Sequence, residues 1–446
     1  MSDTTLNAPF VTGSTMRHVV TMTLLGAVGL MSLFIVDLAD LYFLSLLGNN
    51  EITAAIGYAG TVSFTNLSIS IGIGIASVAL VARQVGAGNR ERAKDFATTS
   101  LLFSILLSAA YTLIIALCAE QFLSFLGAKG EALDQAKRFI WTLSPGFVML
   151  AAAVNLSFSL RALGDGRRAM YITLSMAILT AIADPIFIFW FDMGMQGAAI
   201  ANVIAQGFGL LIGLHGMVIV HKFLRKFSFA DLRRDLKPIW SIAFPAMLTQ
   251  LATPFAVAYT TYSVAPFGNE AVAASAIVGR LVPVAFGMIF SLSGSVGPII
   301  GQNFGALKFD RVTQTLIDGL KFSAVYTLIT SSLLFIFRHQ IADTFLASGR
   351  TRELVVFFCT YVALSWAFAG AQFVSNAACN NLGKASHSTW FNWGKATIGT
   401  IPFAMVGGHY WGAEGVMGAI ALGSVIFGIA SVWWVFRIVH QLKPQK

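Results

Sequence analysis

The feature that most limits the fold of this chain is a series of long apolar stretches separated by short polar connections. A helix rises about 1.5 Å per residue, so about 20 apolar residues cross the roughly 30 Å hydrocarbon layer of a bilayer. Stretches of that length begin near positions 17, 55, 95, 136, 168, 197, 239, 273, 313, 355, 388 and 415. Only 11% of the residues are charged, whereas a soluble domain carries about 25%. The sequence therefore predicts an all-α integral membrane protein with twelve transmembrane helices.

The basic residues are unevenly divided between the connections on the two sides of the membrane. With the N-terminus in the cytoplasm, the outer connections carry Lys129, Lys137, Arg138, Arg338, Arg350 and Arg352. The inner segments carry Arg83, Arg90, Arg92, Lys94, Arg161, Arg167, Arg168, Lys222, Arg225, Lys226, Arg233, Arg234, Lys237, Lys308, Arg311, Lys384, Arg437, Lys443 and Lys446. Cytoplasmic loops are enriched in Lys and Arg, so we predict a multi-pass protein of a bacterial cytoplasmic membrane with both termini inside. The formal charge of +9 then reflects anionic lipid headgroups and not a nucleic-acid partner.

Comparison of the chain with itself reveals a repeat at a constant offset of 219 in the numbering. The matching pairs are "NNEITAA" with "GNEAVAA", Gly86-Ala87 with Gly305-Ala306, Glu91-Arg92 with Asp310-Arg311, and Leu163-Gly164 with Leu382-Gly383. Six helices per copy give both copies the same direction in the membrane, an arrangement that puts a substrate path between them near the midplane. We predict an N-terminal lobe over residues 1–220, a cytoplasmic linker over 221–238 and a C-terminal lobe over 239–446.

Several signatures argue against an enzyme or an ATP-driven pump. The chain has three cysteines, an odd number without metal-ligand spacing, so neither a disulfide framework nor a zinc site is indicated. The first apolar stretch lacks a small-residue cleavage site, which favours a retained helix over a signal peptide. Neither the phosphate loop GxxxxGK[ST] nor the zinc motif HExxH occurs. No cofactor is predicted, apart from a coupling ion.

Carboxylates inside apolar helices are the strongest candidates for functional residues. Three of the twenty acidic residues are predicted to lie well inside helices, namely Asp37, Asp40 and Asp184, all in the first half. Asp40 lies eight residues before the outer turn at Gly48, about 12 Å by helical rise, and Asp184 lies ten before Gly194, about 15 Å. An ionised carboxylate is costly at this depth, and a proton or a sodium ion would relieve both the desolvation and the mutual repulsion. The alternative is a hydrogen bond to a neighbouring helix with no further role.

Other polar groups fall at similar levels or in the second half. Thr180 and Asn202 lie near the depth of the acids, and Pro185 cannot donate to the carbonyl of Ala181, which leaves that oxygen available as a ligand. For the cleft of the second lobe we name Gln250, Gln372, Asn376 and Lys395. Amides also join helices without a functional role, and for Lys395 the structural and functional interpretations both stay open.

Long segments of the chain are similar to one transporter family. The segments "VDLADLYFLSLLGNNEITAAIG", "VARQVGAGNRERA", "SLRALGDGRRAMYITLSMAILTAIADPIFIFWFDMGMQGAAIANVIAQ" and "GQNFGALKFDR" resemble the multidrug and toxic compound extrusion (MATE) family, and its DinF-like bacterial branch in particular. The resemblance implies two six-helix lobes around a cleft and antiport of drugs against protons or sodium by alternating access. It also implies that acids at the positions of Asp40 and Asp184 form a cation site in the first lobe.

The chain departs from the family pattern at three positions. The family's usual asparagine, four residues before the second acid, is Thr180 here, and its usual threonine in the sixth helix is Asn202. The usual proline of the first helix is replaced by Gly26, whose counterpart in the second half is Pro245. A bend driven by proline is therefore not expected in the first helix, although Gly26 still permits one.

The residues and the resemblance together predict an efflux antiporter. We expect it to function as a monomer and to export cationic or amphipathic drugs or toxins in exchange for protons, or for sodium, through Asp40, Asp184, Asp37, Thr180 and Asn202. A flippase for a lipid-linked glycan, from the same superfamily, is the nearest alternative, but it would need several basic residues in its cleft. An ion channel and an intramembrane enzyme are more distant alternatives.

Overall fold

The computed structural model describes residues 8–45 and 50–443, and over these ranges every regular element is a helix. The expected turn at Gly48 lies outside the described residues. The described chain forms two compact units, of which unit 1 is Val28–Met247 and unit 2 combines Ala8–Ala27 with Leu248–Lys446. These bounds differ from those of the predicted lobes, because both unit boundaries fall inside helices. The predicted lobe boundaries stay a prediction.

Within the described ranges, unit 1 contains seven complete or partial membrane helices and one short surface helix. Helix α1 (Thr15–Ser45) begins in unit 2 and passes through Gly26 without a break before it enters unit 1. The following elements are α2 (Asn50–Gly86), α3 (Arg90–Leu117), α4 (Ala119–Phe125), α5 (Gly130–Ala162), α6 (Gly166–Pro185), α7 (Gly194–Leu214) and the first part of α8 (Phe229–Val264). Single π-helical turns, Ile186–Trp190 and His215–Val220, extend α6 and α7.

Unit 2 repeats this order with more interruptions. After α8 it contains α9 (Asn269–Ala285), α10 (Gly287–Gly305), α11 (Phe309–Ile336), α12 (Arg338–Thr344), α13 (Gly349–Phe357), α14 (Trp366–Asn381), α15 (Ala385–Ala396) and α16 (Ile401–Leu442). Helices α9 and α10 form one span bent by 47°, and Pro283 inside α9 accounts for a bend there because it removes a backbone donor.

The described part of the chain contains the expected twelve crossings when the bent pair α9–α10 is counted as one crossing and the long segment Ala385–Leu442 is counted as two. Among the described residues, ten helices are long and apolar enough to cross a bilayer, and the bent pair α9–α10 makes eleven. The last of them, Ala385–Leu442, has 58 residues and would be about 87 Å long, far more than one crossing needs. Gly412 interrupts it with φ 63° and ψ −146°, so it consists of two crossings. The all-α fold with twelve transmembrane helices is therefore confirmed.

A close glycine contact explains how the chain turns back at Gly412. A Cβ added to Gly407 would lie 2.1 Å from the carbonyl oxygen of Gly415, and a Cβ on Gly415 would lie 1.9 Å from that of Gly407. The two helical arms therefore touch backbone to backbone, which only glycine permits at this separation.

The local chemistry at the starts of α3 and α6 explains why these helices begin where they do. Asn89 and Asp165 each accept a hydrogen bond from the backbone N–H three residues later, at 3.1 Å in both cases, which satisfies an otherwise unpaired helix donor. Gly88 and Gly164 precede them with φ of 76° and 89°. Their counterparts at the repeat offset, Leu307 and Gly383, also have positive φ, 58° and 77°.

Candidate functional site

The two predicted acids lie on helices of unit 1, at the end of α1 and at the end of α6. Asp184 has no exposed surface, and Asp40 is partly buried. The side chain of Asp40 lies close enough to those of Asp184 and Asn202 to interact with both. The structure thus brings together three of the five residues that we assigned to cation coupling.

The turn that follows Asp184 is a π-helix, and its cause is local. Pro185 has no N–H to donate to the carbonyl of Ala181, and the chain continues through Ile186–Trp190 with wider hydrogen-bonded rings, such as Phe191 N–H to Ile186 O at 3.0 Å. Single π-helical turns inside α-helices are often found at functional sites.

Helix α7 approaches this turn closely enough to place Asn202 beside the acids. A Cβ added to Gly197 would lie 2.6 Å from the backbone carbonyl of Phe187 and 2.9 Å from the nitrogen of Ile188. Only glycine allows that approach. The Asn202 amide donates one hydrogen to the carbonyl of Ala198 at 3.1 Å, and an amide nitrogen carries a second hydrogen that can reach Asp40.

The acid pair has more acceptors than donors. Oδ1 of Asp40 and both carboxylate oxygens of Asp184 are buried and have no hydrogen-bond donor among the described residues. Two ionised carboxylates cannot donate to each other. A proton on one of them would create the missing donor, and a small cation would satisfy several oxygens at once.

The remaining two residues of the predicted set do not join the pair directly. Asp37 lies about one turn before Asp40 on α1, and its side chain is exposed. Thr180 is buried on α6, one turn before Asp184, and within the described residues no hydrogen bond connects it to either carboxylate. The roles of all five residues in coupling stay predictions.

A bound cation would take its ligands from a small set of oxygens. The described ranges contain no group of three or more His, Cys, Asp or Glu side chains placed to hold a metal. The side chains that the structure brings together at this site are those of Asp40, Asp184 and Asn202. The carbonyl of Ala181 as a further ligand stays a prediction. This set suits a proton or a hard monovalent cation, which prefer oxygen, better than a transition metal.

The residues predicted for the second-lobe cleft lie in unit 2, on three different helices. Gln372 and Asn376 are four residues apart on α14, and both are buried, with Nε2 of Gln372 lacking an acceptor among the described residues. Gln250 on α8 is partly buried. Lys395 on α15 is also partly buried, and no carboxylate of the described chain pairs with its ammonium group. Their assignment to a cleft stays a prediction.

A buried carboxylate in the second half was not predicted from the sequence. Asp318 lies inside α11 and is 4% exposed, so the statement that all intrahelical acids belong to the first half was wrong. Thr15 Oγ1 donates to Oδ2 of Asp318, and Gln314 Nε2 donates to Oδ1 at 2.8 Å. Residues 15 and 318 are distant in the sequence, so periodicity on one helix gave no signal for this contact.

A second charged cluster of unit 1 lies at the start of α6. Asp165 is bonded to the Arg168 guanidinium and to Nε2 of His221, at 2.5 and 2.8 Å. Burial alone would raise the pKa of Asp165, but the hydrogen bonds from His221 and Arg168 hold that pKa well below its usual range. The carboxylate therefore stays ionised here and fixes the connection between α5 and α6.

Comparison with known proteins gives one family and several relatives. The family model described as MatE matches residues 27–186 and 245–406, two stretches whose starts are separated by nearly the repeat offset. A protein named FAD transporter from Shewanella oneidensis is 29% identical over 96% of this chain and 96% of its own length. The multidrug export protein MepA of Staphylococcus aureus is 24% identical over 93% of this chain and 92% of its own.

The fold also matches solved structures. The crystal structure of a mutant of the Vibrio cholerae MATE transporter VcmN superposes with a TM-score of 0.91 at 25% identity. The match covers 96% of this chain and 98% of the other.

Proposed function

Because the chain belongs to the MATE family of multidrug efflux transporters, and is therefore a membrane transporter and not an enzyme, we propose that it works as an antiporter. In this proposal a proton, or else a sodium ion, enters from outside, binds between Asp40 and Asp184, and drives the export of an organic compound. The protein lies in a bacterial inner membrane with both termini in the cytoplasm, and it acts as a monomer.

The observation that carries the proposal is the shortage of hydrogen-bond donors at the acid pair. Three buried carboxylate oxygens have no donor among the described residues, which makes the doubly ionised form costly in a low-dielectric site. Binding one proton removes a charge and supplies one donor. The site therefore favours repeated uptake and release of a cation over permanent ionisation.

Coupling requires that the cation and the exported compound favour different states of the protein. A ligand shifts a conformational equilibrium only by its difference in affinity for the two states. Asp40 is carried by α1 and Asp184 by α6, so a cation that joins them changes how these two helices pack. In the proposal, the compound binds to the state in which the acids are ionised and leaves when they are neutralised.

The test uses purified transporter in liposomes that contain a cationic dye such as ethidium. An imposed proton or sodium gradient should drive dye exchange in the wild type. Asp40→Asn and Asp184→Asn should each lower gradient-driven exchange by roughly a hundredfold, because each removes the ionisable group that binds the cation, an effect worth about 2.7 kcal/mol. Asn keeps the size and polarity of the side chain, so folding should be retained.

The matched control is Asp192→Asn, the same chemical change at an exposed site eight residues after Asp184. It should leave exchange unchanged. Full activity of both Asp40→Asn and Asp184→Asn would contradict the proposed coupling. Dye flux that does not saturate would indicate a channel instead, and transport of a lipid-linked glycan without dye exchange would indicate a flippase.

A second candidate substrate is an anionic flavin dinucleotide. It is favoured by the similarity to the FAD transporter over nearly the whole chain and by the ammonium group of Lys395, which has no carboxylate partner in the described residues. An unpaired cation within a membrane protein suits a phosphate of a bound substrate.

The variant Lys395→Gln distinguishes the two substrate classes. It should lower FAD transport about tenfold, the effect of losing one charge-assisted hydrogen bond, and leave ethidium transport unchanged. Lys321→Gln, which removes an exposed lysine of α11 in the same unit, is the control. Equal loss for both substrates would mean that Lys395 has a structural role.

A further inference from the structure

Each copy of the repeat begins with a long helix, α1 or α8, and the boundary between the two units falls inside each of these helices. Residues 8–27, which include the start of α1, belong to unit 2, and the start of α8 up to Met247 belongs to unit 1. The first boundary follows residue 27 and the second follows residue 247. The distance between them in the sequence is one position longer than the repeat offset. Both first helices therefore change units at equivalent points.

In unit 2 the N-terminal segment is held by several side chains of α10 and α11. Arg311 donates to the backbone carbonyls of Phe10, Thr12 and Gly13 at 2.8, 3.0 and 2.9 Å. Gln302 accepts from the N–H of Phe10 at 3.0 Å. Farther along, the side chains of Val19 and Met22 are buried in the hydrophobic core of unit 2.

In unit 1 the start of α8 is held by α3. Arg92 Nη2 lies 2.7 Å from Oδ1 of Asp235, and Thr99 Oγ1 donates to Oδ2 of Asp235 at 3.4 Å. Asp235 is fully buried. Arg234 adds a bond to Asp95 of α3 at 2.8 Å.

The two attachments correspond residue by residue. Arg92 and Arg311 are separated by the repeat offset, as are Thr99 and Asp318, and the separation of Thr15 and Asp235 is larger by a single position. In unit 2 the threonine is Thr15 on α1 and the aspartate is Asp318 on α11. In unit 1 the residue types are exchanged, since Asp235 lies on α8 and Thr99 on α3. The two copies of the repeat thus share the same hydroxyl–carboxylate contact although the residue types are exchanged.

The attachments matter for transport because each first helix is shared by two units. Helix α1 is held in unit 2 at its start and carries Asp40 in unit 1. When one unit moves relative to the other, the helix must either bend or detach at one end. Detachment would expose both partners of each bond to water, including the buried Asp235. The bonds of Arg92 and Arg311 would then be replaced by bonds to water, which offsets most of their loss.

We propose that residues 8–27 and the segment 229–247 are releasable docking segments, and that both must detach once in each transport cycle. Arg311 and Asp318 position the first segment, and Arg92 and Thr99 position the second. These are positioning residues, since they act through α1 and α8 and not on the transported compound. The inference rests on the proposed transport function, so wild-type exchange is measured first.

A reversible cross-link tests whether the segment must detach. In a chain whose Cys118, Cys359 and Cys379 are replaced by alanine, Thr15→Cys with Asp318→Cys should form a disulfide, because these side chains are in contact. Oxidation should stop the ethidium exchange that remains in the reduced variant, and a reductant should restore exchange to that level. The thermal stability of the oxidised form should rise, which a damaged structure would not show.

The control cross-link joins two helices inside unit 1. Ser77 and Ser159 have hydroxyl oxygens 2.9 Å apart on α2 and α5, and the corresponding cysteine pair should leave exchange intact when oxidised. Full activity of the oxidised Thr15–Asp318 pair would overturn the inference. A wild type without exchange would instead overturn the proposed function, so the two failures are distinguishable.

The exchanged residue types provide a rescue experiment. Asp318→Thr alone should lower exchange about tenfold, since it removes a hydrogen bond to a charged group. Adding Thr15→Asp reproduces the arrangement of unit 1, with Arg311 in the place of Arg92, and should restore exchange to within about twofold. A double variant no better than the single one would contradict the assigned correspondence.

Discussion

Asp165 illustrates how a single residue of unit 1 combines two structural tasks. Its carboxylate caps α6 and also receives bonds from Arg168 and His221, while Arg90 donates to the backbone carbonyl of His221 at 3.2 Å. Because these bonds hold the pKa of Asp165 well below its usual range, the charge stabilises the folded protein above the pKa of the unfolded chain, about 3.9. That stabilisation is lost as the pH falls through the lower folded pKa.

The variant Asp165→Asn should test this contribution. Asn remains a good N-cap, so the change removes the charge and keeps the cap. At pH 7 we expect a loss of about 1 kcal/mol after allowance for partial exposure, or roughly 2–4 °C in Tm for a unit of this size. The difference from wild type should shrink as the pH falls below about 4.

Thermal unfolding in detergent at several pH values is the measurement. Asp134→Asn, at an exposed position of α5, is the control and should change Tm little at any pH. A difference between Asp165→Asn and wild type that does not shrink between pH 7 and pH 2 would show that packing, and not charge, is responsible.

The residues of the acid pair were accessible to sequence reasoning, whereas Asp318 was not. Counting residues from the outer turns placed Asp40, Asp184 and Asn202 at similar depths, which makes a contact possible wherever their helices face one another. Asp318 is buried, and one of its partners is Thr15, which lies 303 positions earlier in the chain. This contact forms because residues 8–27 belong to unit 2. The spacing of apolar and polar residues within α11 does not predict which other segment packs against that helix.

At the scale of elements, the approach of α7 to the π-helical turn controls the position of Asn202. Gly197→Ala should displace α7, because its Cβ would lie 2.6 Å from the backbone of Phe187, which cannot give way as a flexible side chain would. We expect a loss of about 1–3 kcal/mol in stability. Exchange should fall as well, because Asn202 moves away from Asp40.

The control for this variant lies on the same helix. A Cβ added to Gly207 would meet only the sulfur of Met149, at 3.4 Å, so Gly207→Ala should be nearly neutral in stability and in exchange. Measuring Tm and ethidium exchange for both variants separates a local clash from a general loss of helix flexibility. Equal effects of the two changes would contradict the role given to Gly197.

The helices themselves were well predicted from apolar length, whereas the geometry of their breaks was predicted only in part. Stretches starting near 388 and 415 were expected as separate crossings, and the structure divides them at Gly412. The bend between α9 and α10 and the π-helical turns depend on proline and on the packing of neighbouring helices. Mean hydropathy is insensitive to both, since it records composition and not backbone geometry.

At the scale of the whole molecule, the two docking attachments should act together in transport but separately in stability. Arg92→Ala and Arg311→Ala remove contacts in different units, so their effects on the unfolding free energy should add within about 0.5 kcal/mol. If one motion releases both segments, the effects on exchange should not add, and the double variant should transport at nearly the rate of the slower single variant. The measurements are Tm and initial exchange rates of the wild type, the two single variants and the double variant. Additive effects on exchange would mean that the two segments detach independently.

Helix α1 runs unbroken from Thr15 to Ser45, and this continuity has a mechanical consequence. Asp40 lies about 37 Å beyond Thr15 along a helix axis. A stiff rod transmits a tilt at one end to the other in a single movement, without a relay of side chains between them. In the proposed mechanism, an ion that binds at Asp40 near one end of α1 therefore changes the position of the other end, and the length of the helix sets the distance over which this effect is transmitted.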